Sequence, residues 1–327
     1  MAADITIRTI EPADAARLSA CIRGCYGASY PKRVMYDPAA MAEQVRARVY
    51  CGVVAAAGGE IVGHIGYNRP NPAATVVEAG TTVVDARHRG AGLMGRLASV
   101  LRESIIADDA SGFVHYPTTA HTVMQKASLQ SGGCEIGVML AYLPPEARDL
   151  TIGGSGEDRL AVTVVYEPLV EAPAREIFLP ARYHDLIGNF AAHLQLRRTF
   201  SCIRTEPAGK TNLRRTTEMN GNLERLTART IGCDFADVVL SAADNSGASL
   251  IHVDLAMNQP EIEHAVEAAL AAGFAFSAWL PGWNESDVLR LQLVKNPTLN
   301  ELHPSLYSPA ANSIVALIRS ELASSLR

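Results

Sequence analysis

No apolar run in the chain reaches the roughly 20 residues that a membrane-spanning helix needs. The opening stretch, residues 1–10, alternates as a strand does and lacks the apolar core of a secretion signal. Basic runs are missing too. With a formal net charge of −5 and no lysine–arginine cluster, the chain has no positive field for nucleic acid or an anionic membrane. The six cysteines, Cys21, Cys25, Cys51, Cys134, Cys202 and Cys233, contain no CxxC pair, so they are expected to be reduced, mostly buried thiols that hold no metal. These absences predict a cytoplasmic protein with neither nucleic acid nor membrane among its partners. What is present is apolar substance: 48% of 327 residues are hydrophobic, ample for burial, and the length favours two domains over one.

One segment speaks of chemistry. Val76, Val77, Val83 and Val84 mark a buried strand interrupted by polar or small residues between Glu78 and Thr82. Arg89-Gly90-Ala91-Gly92 follows, and then Leu93, Leu97, Val100, Leu101 and Ile105 recur at helical spacing. A helix that starts on glycines leaves its first N–H groups free and lets a ligand approach closely, so the turn reads as a cradle for an anion such as a pyrophosphate. It has neither the glycine spacing of GxGxxG nor the lysine of a nucleoside-triphosphate loop.

Around it, strands are expected at residues 5–10, 50–57 and 61–67, with Gly58-Gly59 joining the last two as a hairpin. Helices are expected at 12–22 and 39–48, separated by the aromatic and basic loop 30–38. After the long helix come a strand at 113–116, a helix at 121–130 stopped by Ser131-Gly132-Gly133, and strands at 134–143 and 160–166, with a Gly-Gly-Ser-Gly loop at 153–156 between them. Residues 168–173 make the best boundary, giving domains 1–168 and 169–327. In the second, Asn220-Gly221 signals a hairpin between 213–219 and 222–230, and a strand (250–255), a helix (260–272) and two strands (274–280, 288–294) follow. Helix, glycine, strand, proline loop, strand thus occurs at 121–166 and again at 260–294, as a diverged duplication would. The second half lacks a copy of the arginine–glycine turn; residues 242–248 are expected to occupy that place.

With this order of elements, residues 1 to about 167 resemble the GNAT superfamily of N-acetyltransferases. The family's pyrophosphate motif, Gln or Arg, two residues, Gly, one residue, then Gly or Ala, falls on Arg89–Met94, with Met94 a departure at the last position; Arg87–Gly92 also fits the string. The resemblance implies an α/β (α+β) fold of two GNAT-like domains, each a mixed, mostly antiparallel sheet flanked by helices, the second degenerate. It implies acetyl-CoA or another acyl-CoA as co-substrate and a small-molecule amine as acceptor, and it allows a homodimer. Residues expected at the cofactor are Val83, Val84, Arg89, Gly90, Ala91, Gly92, Leu93, Met94, Gly95 and Ser128.

The chemistry needs a proton taken from an amine and a thiolate that leaves. Glu78, on the strand leading to the turn, stands where many relatives carry a general-base glutamate; the bland alternative is an edge carboxylate paired with an arginine. His115 is the rival base. His121 stands where relatives often carry an asparagine touching the CoA arm. Many relatives place a tyrosine acid four residues before the glycine that ends the next helix, but Ser128 is there, so either Tyr116, His121 or water protonates the thiolate or CoA leaves unprotonated. His64, His88, Trp279 and Trp283 read as structural, His252 and His264 have no ligand-like partners, and Asp287 reads as a loop cap. Rival readings are a regulatory protein that binds acyl-CoA without turnover, and transfer to a protein lysine or a hydroxyl.

Overall fold

The computed structural model describes residues 5–90, 92–147, 157–201 and 203–324. The first half runs β1 (Thr6–Thr9), α1 (Ala15–Tyr26), α2 (Pro38–Arg46), β2 (Cys51–Ala57), β3 (Glu60–Asn68), β4 (Val76–Val84), α3 (Leu93–Ala107), β5 (Gly112–His115), α4 (Val123–Gln130), β6 (Cys134–Leu143) and β7 (Leu160–Pro168). The second runs β8 (Arg175–Phe178), α5 (His184–His193), β9 (Arg198–Ser201), β10 (Asn212–Glu218), β11 (Leu223–Thr230), α6 (Phe235–Asp244), β12 (Leu250–Ala256), α7 (Ile262–Ala271), β13 (Ala275–Leu280), β14 (Val288–Val294) and α8 (Pro309–Ser324). The Gly-Gly-Ser-Gly loop, Cys202 and Ala91 lie outside the described residues.

Local chemistry sets these elements. Asp37 caps α2 by accepting from the N–H groups of Ala39 and Ala40 at 3.0 Å, with Pro38 in the first turn. Gly58 and Gly59 turn β2 into β3, pairing Ala57 with Glu60. Helices α4 and α7 end alike. Gly133 N–H reaches Ser128 O and Gly132 N–H reaches Leu129 O, while Phe274 N–H reaches Ala269 O and Gly273 N–H reaches Leu270 O. Both are Schellman ends, and each leads directly into a strand.

Twelve strands form one sheet in the order β1-β2-β3-β4-β5-β7-β6-β13-β14-β12-β11-β10; β8 and β9 pair apart. The order β3-β4-β5-β7-β6 in the first half has its mirror in β10-β11-β12-β14-β13, with β4–β5 and β11–β12 the parallel pairs. The halves meet where Gly137 of β6 pairs with Ala278 of β13. A Cβ on Gly137 would lie 2.3 Å from Ser277 O, so glycine is what permits the approach. Gln292 bridges this narrow seam, donating to Val138 O and Phe276 O at 2.9 Å and accepting from Leu140 N–H at 2.8 Å. Helix α8 packs across the seam on β6 and β13 through Ala311, Ile314, Val315 and Ile318, and its Glu321 accepts from Phe276 N–H and Tyr183 Oη. Helix α3 covers one face of the first half with the buried Leu97, Leu101 and Ile105, each worth about 1.5–3 kcal/mol of burial.

Strand topology corrects the expectation for residues 242–248. They are the end of α6 and the loop after it; the counterpart of the β4–α3 turn is residues 231–234, between β11 and α6. Helix α6 was missed because its apolar face, Phe235, Val239, Ala242 and Ala243, spans only ten residues. No helix among the described residues is long and apolar enough to cross a membrane.

Candidate active site

The β4–α3 turn is held from below and bare above. Asp85 accepts from Arg87 N–H at 2.9 Å, and Arg89 Nε donates to Val84 O at 3.0 Å. Gly90 (φ 79°) and Gly92 (φ 70°) sit in the left-handed region, where a side chain costs of order 1–2 kcal/mol. Among the described residues, and apart from the chain immediately around each glycine, no atom lies within 4 Å of where a Cβ on Gly90, Gly92 or Gly95 would project. Gly92 is the N-cap of α3 and no side chain among the described residues caps it, which leaves the first-turn N–H groups of Leu93, Met94 and Gly95 without a side-chain partner there, as an anion site needs. Both glycines of the string beginning at Arg87 lie at positive φ and the helix starts immediately after them, which puts Met94 in its first turn.

Strand β4 presents an open edge beside this cradle. It pairs with β3 along most of its length, but with β5 only through Val76–Glu78 against Gly112–Val114. From Ala79 to Val84 the side toward β5 has no ladder among the described residues. A bulge at Thr81 (φ 53°) twists this stretch. Val83 and Val84 are buried, so only their backbone faces the split, as pairing with an extended amide arm requires. Bare N–H groups at the helix start and an open strand edge leading from it are the parts that a nucleotide pyrophosphate and its pantetheine arm would use.

Glu78 stands where the split opens, with Lys32 Nζ 3.6 Å from its Oε1. Lys32 comes from the loop between α1 and α2. Burial works against its charge, but Glu78, Tyr30 and Glu218 outweigh burial and raise its pKa. Tyr116 follows β5. Burial raises its pKa first and Glu78 second, while Arg290, in reach of its buried hydroxyl, opposes them.

Other sequence-expected residues fall elsewhere. Glu78 pairs with Val114, so the next residue, His115, points to the opposite face of the sheet. There it packs at 5.3 Å from the Phe113 ring, and burial, then Arg102, lowers its pKa to about 4. A histidine on that face is not brought to Glu78. Ser128 spends its hydroxyl on Met124 O at 2.7 Å inside α4. His121, just before α4, has a buried Nδ1 with no hydrogen bond among the described residues.

Sequence reasoning missed the far wall of this cleft. Arg33 Nε donates to Asn220 Oδ1 at 3.0 Å, tying the α1–α2 loop to the β10–β11 hairpin of the second half. Behind it runs an ionic chain: Glu218 accepts two bonds from Arg225 (2.8 and 3.0 Å), Arg225 reaches Asp254 (3.3 Å), and Asp254 takes a double bond from the fully buried Arg290 (2.6 and 2.8 Å). Burial opposes the charge on Asp254, but Arg290 and Arg225 win and hold its pKa well below the usual range. The trace in sequence was polar residues at every second position of apolar strands, His252 and Asp254 in β12, Arg290 and Gln292 in β14.

With that geometry in view, residues 16–116 match the model of the Acetyltransferase (GNAT) family. Solved structures similar to this chain include an N-acetyltransferase from Staphylococcus aureus Mu50 (18% identity, 51% of this chain and 99% of that one, TM-score 0.40). Another is a putative acetyltransferase from Salmonella typhimurium with its cofactor acetyl-CoA (18%, 53% and 98%, TM-score 0.43). A third is an aminoglycoside 6'-acetyltransferase type Ii (17%, 51% and 99%, TM-score 0.39). No curated protein sequence matches the chain.

Proposed function

From a chain whose residues 16–116 are a GNAT acetyltransferase domain, we propose an acyl-CoA-dependent N-acyltransferase that moves acetyl from acetyl-CoA to the primary amine of a small molecule. One observation carries this reading. A single strand, β4, bears a carboxylate at the point where the sheet splits and ends in an uncapped helix start built on two left-handed glycines.

Each residue then has a task. The first-turn N–H groups of α3 hold the pyrophosphate, and the open edge of β4 holds the pantetheine arm. Glu78 takes the proton from the acceptor ammonium, directly or through water, freeing the lone pair that forms the new N–C bond. A β4 backbone N–H near Val83 or Val84 faces the oxygen that gains charge as the C–S bond breaks. The thiolate takes its proton from Tyr116, His121 or water; Ser128, bonded within its helix, is left out. Transfer is direct, with both substrates bound together and no acyl-enzyme. The second half, whose strand order repeats that of the first, is read as a diverged GNAT-like copy, residues 169–327, that closes the acceptor cleft through Asn220 and Glu218.

Thiol release from acetyl-CoA over a panel of amines tests this. Turnover that needs Glu78 supports it. The competing reading, a protein that binds acyl-CoA without turnover, is favoured by the spent Ser128 hydroxyl. It would be recognised by acetyl-CoA-dependent stabilisation, about 2.7 kcal/mol at a hundredfold excess over Kd, with no thiol released for any amine.

A further inference from the structure

Buried between the two halves, behind Glu78, are polar atoms that the described residues leave without a hydrogen-bond partner. His252, on β12 of the second half, is fully buried, and neither ring nitrogen has a hydrogen-bond partner among the described residues. Its ring stacks on Tyr142 at 6.2 Å with an interplanar angle of 7°, and Tyr142 in turn lies 5.7 Å from the ring of Tyr116. Tyr116 lies beside Glu78 with Arg290 in reach of its buried hydroxyl. A line of rings therefore joins the carboxylate at the split to an unsatisfied imidazole in the other half. Buried polar groups are rarely left without a partner unless a water or a ligand supplies it.

The chemistry of these groups narrows what that ligand is. The arginines nearest His252 are neutralised, Arg225 by Glu218 and Asp254, Arg290 by Asp254. Burial first, and those two guanidinium groups second, keep the imidazole uncharged, so it offers one N–H donor and one lone pair. Such a pair suits a hydroxyl or an amide, which can use both the donor and the lone pair, better than a carboxylate or a second ammonium, which can use only one of them and would bring an uncompensated charge. The charged groups that remain within reach of solvent, Lys32 (35% exposed), Glu218 (36%) and Glu78 (19%), stand at the other end, where the amine is to be received.

We propose that the second half builds the acceptor-selecting wall of the cleft, and that it selects a primary amine whose far end carries an uncharged hydroxyl or amide bonded to His252. This rests on the transferase reading above. It adds the acceptor class and gives the second half a binding role.

The test compares matched amines, 3-amino-1-propanol against butylamine and glucosamine against cyclohexylamine, in thiol release from acetyl-CoA. The wild type should prefer the hydroxylated partner at least tenfold in kcat/KM, because a site built to hydrogen-bond a hydroxyl rejects its absence. His252→Phe keeps the stack on Tyr142 but removes both nitrogens, and should shrink that preference about three- to tenfold, mainly through KM. His252→Gln, which restores a donor and an acceptor, should recover part of it. If the phenylalanine variant does not fold, as judged by its melting in acetyl-CoA, the ratio is read in His252→Leu. Equal use of matched amines by the wild type, or a ratio unmoved by removing the imidazole, overturns the proposal and leaves the transferase reading standing; the nitrogens then serve an internal water. Absence of release with every amine overturns both.

Discussion

The two strand–turn–helix units, β4 into α3 and β11 into α6, have the same place in matching strand orders and opposite chemistry. In the first, glycines keep the turn clear; among the described residues no side chain caps either helix. In the second, three N–H groups of the turn are already engaged: Ile231 by Gln259 Oε1 at 3.1 Å, Gly232 by Thr211 Oγ1 at 3.0 Å, and Cys233 by Gly209 O at 3.2 Å. Asp234 adds a carboxylate at that helix start, held ionised first by the Thr211 N–H, where a pyrophosphate would be repelled. The neighbouring strands differ in the same sense. Strands β4 and β5 separate after three pairs, whereas β11 and β12 stay joined through six, from Leu223–Leu250 to Ala228–Leu255. A cofactor site on this fold is thus a pair of omissions, hydrogen bonds left unmade at a helix start and along a strand edge. The second half has closed the strand edge and engaged three N–H groups of its turn.

The largest effect should fall on the residue where the first half splits. Glu78→Gln keeps the shape but cannot accept a proton, so kcat/KM with an amine should drop about 10²–10⁴-fold. Acetyl-CoA binding, read by calorimetry, should hold. A variant that turns over like wild type would remove Glu78 as base and leave the comparison resting on cofactor binding alone.

Acidification asks whether the halves act as one body. His64, fully buried between Tyr50 Oη (2.7 Å) and Val53 O (2.9 Å), has its pKa lowered to about 4, burial being the first cause. The unfolded chain binds its proton near pH 6.5, so between about 6.5 and 4 the unfolded state carries more protons and stability falls as pH falls. The slope is about 1.4 kcal/mol per pH unit for this one residue. His252, on the other side of the seam, is shifted in the same direction by burial and two arginines. Thermal melts over that range should move down as a single transition, because α8 and Gln292 bind β6 to β13. Two separating transitions would show that each half melts by itself.

Two glycines then divide binding from stability. Gly92→Val puts a branched side chain at φ 70° in open space, and should weaken acetyl-CoA binding about 5- to 150-fold through 1–3 kcal/mol of strain in the cradle. Gly232→Ala puts a Cβ 2.4 Å from the backbone carbon of Lys210, and should cost about 1–3 kcal/mol of overall stability while leaving acetyl-CoA affinity alone. Denaturant titration and calorimetry on both variants check this. If the Gly232 change weakens binding as much as the Gly92 change, the second turn is not the spent one.

What could be read beforehand follows from how local each signal is. Asn220-Gly221 announced the β10–β11 hairpin, and Val288–Val294 was bounded to the residue, because turns and buried strands carry their cause in neighbouring positions. The cradle was legible for the same reason, since glycines before a periodic helix are adjacent in sequence. The cleft's far wall was not, for it exists only because Gly137 lets β13 approach β6, 141 residues apart in number (278 − 137), and so brings Arg290 and Asp254 behind Glu78. Helix α8 was missed because its reason for forming, the groove over that seam, is itself a product of the pairing. His115 and Tyr116 are neighbours in sequence, yet alternation sends them to opposite faces, a step the strand's own period could have supplied.

The smallest effect concerns Met94, and it bears on how the open turn works. Its side chain packs half-buried against the apolar layer under α3, while its N–H belongs to the bare first turn. If the anion is held by backbone groups, as the uncapped helix start implies, Met94→Ala should change acetyl-CoA affinity less than about threefold, alanine being at least as good a helix former. The loss should appear as stability, up to about 2 kcal/mol for a partly buried methionine and below the 2–5 kcal/mol of a fully buried one. A tenfold loss of affinity would mean that the side chain shapes the cradle. The contrast between the halves would then lie in what lines each turn, as well as in which of its N–H groups remain free.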